Sequence, residues 1–369
     1  MRLSQNPPCV GEPRVSTVEL FFDLVFVFTI TQLTYLIDGA RTPLDFLLVL
    51  VVLTIVWWHY AGYVWLTNAS GAADAMRLVL VAAMAGFLVM AISLPTIFGA
   101  GGLPFGLGYL FIVALHLGAF LWQGGRAAWR AVAGLAVINL GVAALVLAAA
   151  LVHASWSWAF LVAGVALFGV STLVRVEGGF SVRAGHFAER HGAVILIALG
   201  ESVIAIGTGA AAAGGFGAWT LGALVAALAV IAAMWWAYFD RDDARAEHAL
   251  SAAPPEQQAR KALLGYWYTH LLMIAGIVLV ATGVRGEVAH PAEAAPRAGW
   301  LLAAGLAAFL LGSVAFRRSF GLRPLTTRLV AAPAMLLVGL AGLALGGLAV
   351  LALGALLLGA LFAWERAYA

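Results

Sequence analysis

Twelve runs of predominantly apolar residues follow one another along this chain, each long enough to cross the ~30 Å hydrocarbon core of a bilayer as a helix. They cover roughly 17–38, 43–67, 74–97, 105–124, 131–152, 156–176, 186–209, 216–239, 261–284, 298–316, 326–345 and 347–364. Little chain is left over for anything else. Of 369 residues 64% are hydrophobic and 10% charged, whereas a soluble domain carries about 25% charged residues. The expected fold is therefore all-α, a polytopic membrane helix bundle of about twelve transmembrane helices with the lipid bilayer as its surroundings. Only Gly346 and Gly347 separate the last two runs, which leaves open a single broken element there.

The basic residues orient the bundle. With twelve spans and a cytoplasmic N-terminus, only Arg41, Arg285 and Arg297 of the 20 Lys and Arg residues fall on the outer side. The positive-inside rule asks for such a bias, so both termini are expected in the cytoplasm. Residues 1–16 form a cytoplasmic tail with Pro7, Pro8 and Pro13 and no apolar core, so the first helix is expected to serve as the signal. Residues 240–258 carry mixed charges and Pro254-Pro255 and read as a solvated linker. They separate helices 1–8 (17–239) from the remaining helices (259–369). The single cysteine, Cys9, excludes an internal disulfide, a CxxC pair and a cysteine-based metal site. The formal charge of +3 is explained by loop placement, so no nucleic-acid partner is expected.

The two halves resemble each other, with a boundary near residue 180. Trp57-Trp58-His59-Tyr60 ends the second segment and Trp235-Trp236-Ala237-Tyr238 ends the eighth. The third segment carries Met84-Ala-Gly-Phe and the ninth Met273-Ile-Ala-Gly. The first and seventh each begin with a carboxylate, Glu19 and Glu189. A polar break follows about twelve residues later, at Thr31-Gln32 and Glu201-Ser202. Six is even, so such halves would be parallel repeats with a central site between them. An interfacial aromatic belt and chance similarity of Gly/Ala/Leu runs account for the same patterns.

Two segments carry charge at depth. In HFAERHGAVILIALGESVIAIGTG (186–209) a polar cluster, His186, Glu189, Arg190 and His191, precedes an uncharged run that ends at Glu201. From Arg190 to Glu201 a helix rises about 16 Å, half a bilayer core, which places Glu201 near the midplane. On a helical wheel Glu201 lies about 20° from Arg190 and 60° from His186, so one face carries a basic mouth and a buried acid. In the first segment Glu19 and Asp23 stack four residues apart. Like charges so placed need a nearby cation or a shared proton. Glu19 reads as an interfacial group favouring the helix N-terminus, whereas Asp23 lies a turn deeper among phenylalanines. His59, His116, Asn139 and His270 are the other buried polar candidates, most of them readable as packing residues.

The strings VELFFDLVFVFTITQL, HFAERHGAVILIALGESVIAIG and YWYTHLLMIAGIVLVATG resemble the signature regions of the bacterial low temperature requirement A proteins, and the likeness covers most of the chain. The matching residues are Glu19, Asp23, Gln32, Glu189, Arg190, His191, Gly200, Glu201, Ser202, Tyr268 and His270. The resemblance implies a polytopic inner-membrane protein whose family name reflects growth in the cold, and it supplies no catalytic residues.

Sharper chemistries fail on spacing. His186-Phe-Ala-Glu189-Arg-His191 is neither HExxH nor HxxEH, and Gly200-Glu-Ser202-Val-Ile204 lacks the closing glycine of GxSxG. Neither Walker A nor a dinucleotide fingerprint occurs, so no cofactor or metal is expected. A carboxylate at the bilayer centre costs about 2.5–3.5 kcal/mol and marks a pathway by default. The expected function is a secondary transporter or permease, proton- or cation-coupled, for an unidentified small solute or ion. Its path holds Glu201, Asp23, His270, Arg190, His186, Glu189, His191, Glu19, Gln32, Ser202 and Tyr268, with no residue assigned a catalytic role. The alternatives are a membrane enzyme acting on a lipid or isoprenoid head group through His186, Glu189, Arg190 and His191, or a cold- or envelope-stress protein without turnover. Oligomerisation is left open by the Gly-rich last two segments.

Overall fold

The computed structural model describes residues 15–70, 74–152, 154–173 and 182–368. Most of the expected tail, 1–14 with Cys9, and the expected repeat boundary near 180 lie outside the described residues. Regular structure among the described residues is helical, apart from an isolated bridge between Ala294 and Gly346. The helices are α1 (Thr17–Gly39), α2 (Pro43–Ser70), α3 (Asp74–Ser93), α4 (Gly102–Leu151), α5 (Trp158–Leu173), α6 (Ala184–Ala212) and α7 (Ala218–Phe239). They continue with α8 (Asp242–Ser251), α9 (Pro255–Ala262), α10 (Thr269–Ala289), α11 (Pro296–Phe320), α12 (Thr326–Ala334), α13 (Leu336–Ala341) and α14 (Gly347–Tyr368).

Among the described residues, ten helices are long and apolar enough to cross a membrane. Two shorter apolar helices, Trp158–Val170 and Thr326–Ala341, occupy the places of the sixth and eleventh sequence segments. The eleventh is interrupted between α12 and α13, beside Pro333, which cannot donate its backbone N–H to a helical bond. The fourth and fifth segments join in the single helical run α4, which nonetheless folds back on itself. A Cβ on Gly102 would lie 3.4 Å from Ala150 and one on Gly106 would lie 2.8 Å from Leu147. The reversal therefore falls between the apolar spans Gly102–Gln123 and Ala133–Leu151.

Large apolar side chains face outward along the helices: Phe21 and Leu24 on α1, Leu78 on α3, Val137 on α4 and Leu356 on α14 are all exposed. A water-soluble helix hides such a face; here it meets lipid, and the polar groups are inside. The protein is a multi-pass membrane protein. α1 packs on α3 and α3 on α4, as α6 packs on α10 and α10 on α11; likewise α2 packs on α5 and α7 on α14. The α10–α11 seam is close-packed through glycine. A Cβ on Gly276 would sit 2.7 Å from the carbonyl of Gly305, and one on Gly305 would sit 2.7 Å from that of Gly276, so only glycine lets these backbones touch.

The stretch 240–258 differs from a fully solvated linker. It forms α8 and α9, with Asp242, Ala246 and Leu250 buried, because Arg317 and Arg328 draw Asp242 inward. Leu263–Tyr268 then makes a π-helical turn into α10. At Gly265 the turn lies directly against the Phe320 ring, which leaves no room for a Cβ. The extra residue of a π turn rotates the helix beyond it, and Tyr266, Trp267 and His270 all come to lie inside the bundle.

Candidate functional site

α1 and α6 run parallel, side by side, and polar contacts tie α1 to the C-terminal half at three heights. At the N-terminal end of both helices, Glu19 accepts from Ser16 N–H at 2.9 Å and Ser16 Oγ at 2.7 Å, closing the first turn of α1. The same carboxylate pairs across the seam with His186 Nε2 at 3.1 Å and Arg190 Nη1 at 3.4 Å. Glu19 thus caps its helix and also joins an ion cluster, which the interfacial reading had not included. One turn deeper, Arg190 donates to Asp23 at 2.7 Å and Tyr60 of α2 donates to the same oxygen at 2.5 Å. Arg190 and Asp23 are 0% and 1% exposed. The cation that stacked carboxylates require is therefore Arg190, with His186 beside it.

Halfway along, Thr31 Oγ1 donates to Glu201 Oε2 at 2.6 Å, with Glu201 4% exposed. Ser202, behind it, is fully buried and its hydroxyl makes no hydrogen bond among the described residues. At the far end, Arg285 of α10 donates to Asp38 and lies 5.8 Å over the Tyr35 ring. Arg297, at the start of α11, donates to the Ile37 carbonyl at 2.6 Å. A buried carboxylate thus sits between two sets of charged contacts, one at each end of the seam.

Behind the first cluster lies an aromatic layer. His191 points away from α1, donating from Nδ1 to Phe187 O at 2.9 Å, with its ring 4.9 Å from Tyr266 and 5.2 Å from His270. His270 Nε2 meets the Tyr238 hydroxyl at 2.9 Å. The π-helical turn fixes this layer, since Tyr266 belongs to it and His270 comes just after it. Tyr268 is half-buried, edge-on to Trp267. Glu189 is exposed, its carboxylate accepting from Val15 N–H at 3.2 Å. The quartet proposed for a headgroup enzyme is therefore dispersed: His186 and Arg190 serve the ion cluster, Glu189 faces out and His191 faces the aromatic layer. Gln32 is half-buried on α1 next to Thr31. Among the described residues no three His, Cys, Asp or Glu side chains converge as a metal site.

Asn139 accepts from the Trp58 indole at 3.1 Å. His59 stacks edge-on to Tyr109 at 4.8 Å with neither ring nitrogen hydrogen-bonded among the described residues, and His116 lies 6.0 Å from it. These belong to the interior of the N-terminal half, away from the α1–α6 seam.

A second ion network was not anticipated. Arg317 donates to Asp242 at 2.7 Å and to both oxygens of Glu365 at 2.9 and 3.0 Å. Arg328 donates to Asp242 at 3.0 Å and to Glu365 at 3.1 Å, and also reaches Ser313 and the Ala237 carbonyl. Two arginines and two carboxylates, all buried, close on one another and pin α8, α11, α12 and α14 together. Each residue lies at a segment end, where a charge by default reads as solvated. Glu287 was missed likewise: it is 0% exposed beside Gly299, and neither carboxylate oxygen has a hydrogen-bond partner among the described residues.

The chain shares 28% identity over 306 residues with an uncharacterized protein of Rhizobium meliloti (strain 1021), spanning 76% of this chain and 71% of that one. The family model described as bacterial low temperature requirement A protein matches residues 14–364, a span that includes the ion cluster of α1 and most of α14. The match takes in all three heights of the α1 seam, and the chain belongs to the bacterial low temperature requirement A family.

Proposed function

We propose that the protein is a proton- or cation-coupled secondary transporter or permease of the bacterial inner membrane, built from two parallel six-segment repeats that meet at α1 and α6. The termini and the Glu19–His186–Arg190 cluster lie on the cytoplasmic side in this reading. The observation that carries it is the position of Glu201, a buried carboxylate on the α1–α6 seam, bonded to Thr31 and bracketed by charged contacts at both ends. Alternating access needs a central site and two barriers that open in turn. Glu201 supplies the first, and the Glu19/Asp23–Arg190 and Asp38–Arg285 contacts supply the others. The repeat is supported by the pairing of Thr31 with Glu201, positions that correspond when Glu19 is aligned with Glu189. Residues equivalent under a two-fold axis meet when they lie on it.

Charge movement tests this. Proteoliposomes on a solid-supported membrane are exposed to a panel of small amino acids, sugars, organic acids and monovalent cations under an inward proton gradient. Wild-type protein gives a solute-dependent current with at least one class, and Glu201→Gln, matched for reconstituted amount, gives none. Equal currents with equal pH dependence in both proteins refute the role of Glu201, and the absence of current for wild type across the panel refutes transport.

A further inference from the structure

At the end of the bundle where α7, α11 and α14 terminate, a recess of about 40 Å³ opens beside the buried Arg317/Arg328 network. Six guanidinium groups line it against three carboxylates. Arg317 and Arg328 are taken up by Asp242 and Glu365. Arg241 and Arg366 share Asp240 at 3.5 and 3.7 Å, and Arg366 lies 4.7 Å over the Trp236 ring. Arg245 and Arg323 are exposed and hold no carboxylate among the described residues. The recess is thus a surplus of positive charge beside an aromatic ring, at one end of the membrane-crossing helices α7, α11 and α14.

The same two helices, α7 and α14, carry a second concavity further along. Gly222, Ala226 and Ala229 of α7 and Ala352 and Ala355 of α14 leave an apolar groove between Leu221 and Leu356. At 1.5 Å per residue, Ala229 to Leu221 lies about 10 to 22 Å from Trp236 along α7. One leaflet of the hydrocarbon core is about 15 Å deep, so an acyl chain leaving the basic recess would run along this groove. We propose that α7 and α14 form a binding site for one anionic glycerophospholipid, with its phosphate held by Arg245 and Arg323 and an acyl chain lying over Gly222, Ala226 and Ala229. Basic pockets between transmembrane helices select such headgroups. A second copy of the chain is the other candidate for a groove of small residues. A two-fold interface there would set like-charged recesses against each other, and charge complementarity therefore favours the lipid.

The test uses full-length protein, delipidated in mild detergent and titrated separately with phosphatidylglycerol, phosphatidylcholine, glycerol phosphate and inorganic phosphate, with binding read by native mass spectrometry. Phosphatidylglycerol binds saturably at one site and more tightly than phosphatidylcholine. Arg245→Ala with Arg323→Ala weakens phosphatidylglycerol alone, by about fivefold per arginine. Both arginines are exposed, so the fold survives their loss. Ala226→Phe, which fills the groove, weakens both phospholipids. Glycerol phosphate or inorganic phosphate binding as tightly as phosphatidylglycerol would show a free-anion site and overturn the proposal. So would equal affinity for the two phospholipids, no change in the arginine variant, or a groove substitution that alters oligomeric state and leaves lipid binding intact.

Discussion

Thr31 donates its hydroxyl to Glu201 over 2.6 Å, and the two residues are 170 positions apart in the chain. The other contacts along the seam keep nearly the same offset, 174 for Val15 with Glu189 and 167 for Asp23 with Arg190. α1 and α6 therefore lie parallel and in register, as the first helices of two parallel repeats would when packed on their shared axis.

Thr31→Val removes the only hydrogen bond of Glu201 among the described residues and keeps the side-chain volume. A hydrogen bond to a charged group contributes about 1.5–3 kcal/mol, and an orphaned buried carboxylate adds a penalty. We expect thermal unfolding in detergent to shift downward by several degrees for Thr31→Val and little for the double variant Thr31→Val/Glu201→Leu. Equal losses in the two would show that the pair is energetically irrelevant.

Arg190 is the one arginine or lysine paired with Asp23 among the described residues, so Arg190→Gln leaves that carboxylate without its ion pair. Breaking a buried pair from one side costs about 3–5 kcal/mol. Removing both charges in Arg190→Gln/Asp23→Asn restores much of it, and a double-mutant cycle on denaturation midpoints reads the coupling. Additive losses would contradict the pairing.

Asp38 and Arg285 close the seam at the end opposite Arg190. In a Cys9→Ser background, Ser202→Cys places a single reporter beside Glu201. Asp38→Asn should speed its modification by a membrane-impermeant thiol reagent added on that side. About tenfold is expected, the change for a barrier weakened by ~1.4 kcal/mol. Glu19→Gln should speed modification from the opposite side instead. Faster modification from the same side in both variants would mean that these contacts do not guard opposite ends.

Arg328→Met leaves Arg317 as the one arginine paired with Asp242 and Glu365 among the described residues. We expect a loss of about 3–5 kcal/mol, since the remaining carboxylates stay buried, read as a lower melting temperature by tryptophan fluorescence. Arg318→Met, outside the network, is the control and should change little. Matching effects would assign the loss to charge in general.

Much of the bundle was legible from hydropathy, because every span must be apolar over about twenty residues and nothing else in the chain competes with that signal. The breaks were less so. The break between the fourth and fifth segments was read from Gly124 to Arg130, but not that helical backbone would run through it, and the α12–α13 interruption shows only as Pro333. At the site, Glu201 and Asp23 stood out by cost, and Arg190 shared a helical face with Glu201. Their partners could not be read, since Tyr60 and Thr31 are ordinary membrane-helix residues until the fold brings them within 2.5 and 2.6 Å. Asp242, Arg317, Arg328 and Glu365 were hidden for another reason. Each sits near a segment end, where charge is expected to be solvated, and only the tertiary packing buries all four together.

Transport of the kind proposed requires the two ends of the α1 seam to open in turn. Spin-label pairs on α1 and α6 near Val18 and Gly185, and on α1 and α10 near Leu36 and His290, report the two ends separately by pulsed electron–electron resonance in nanodiscs. With pH varied, two populations are expected in which one distance lengthens while the other stays short, collapsing to a single population in Glu201→Gln. A single narrow distance at both ends, in wild type and variant alike and at every pH, would contradict alternating access through this seam.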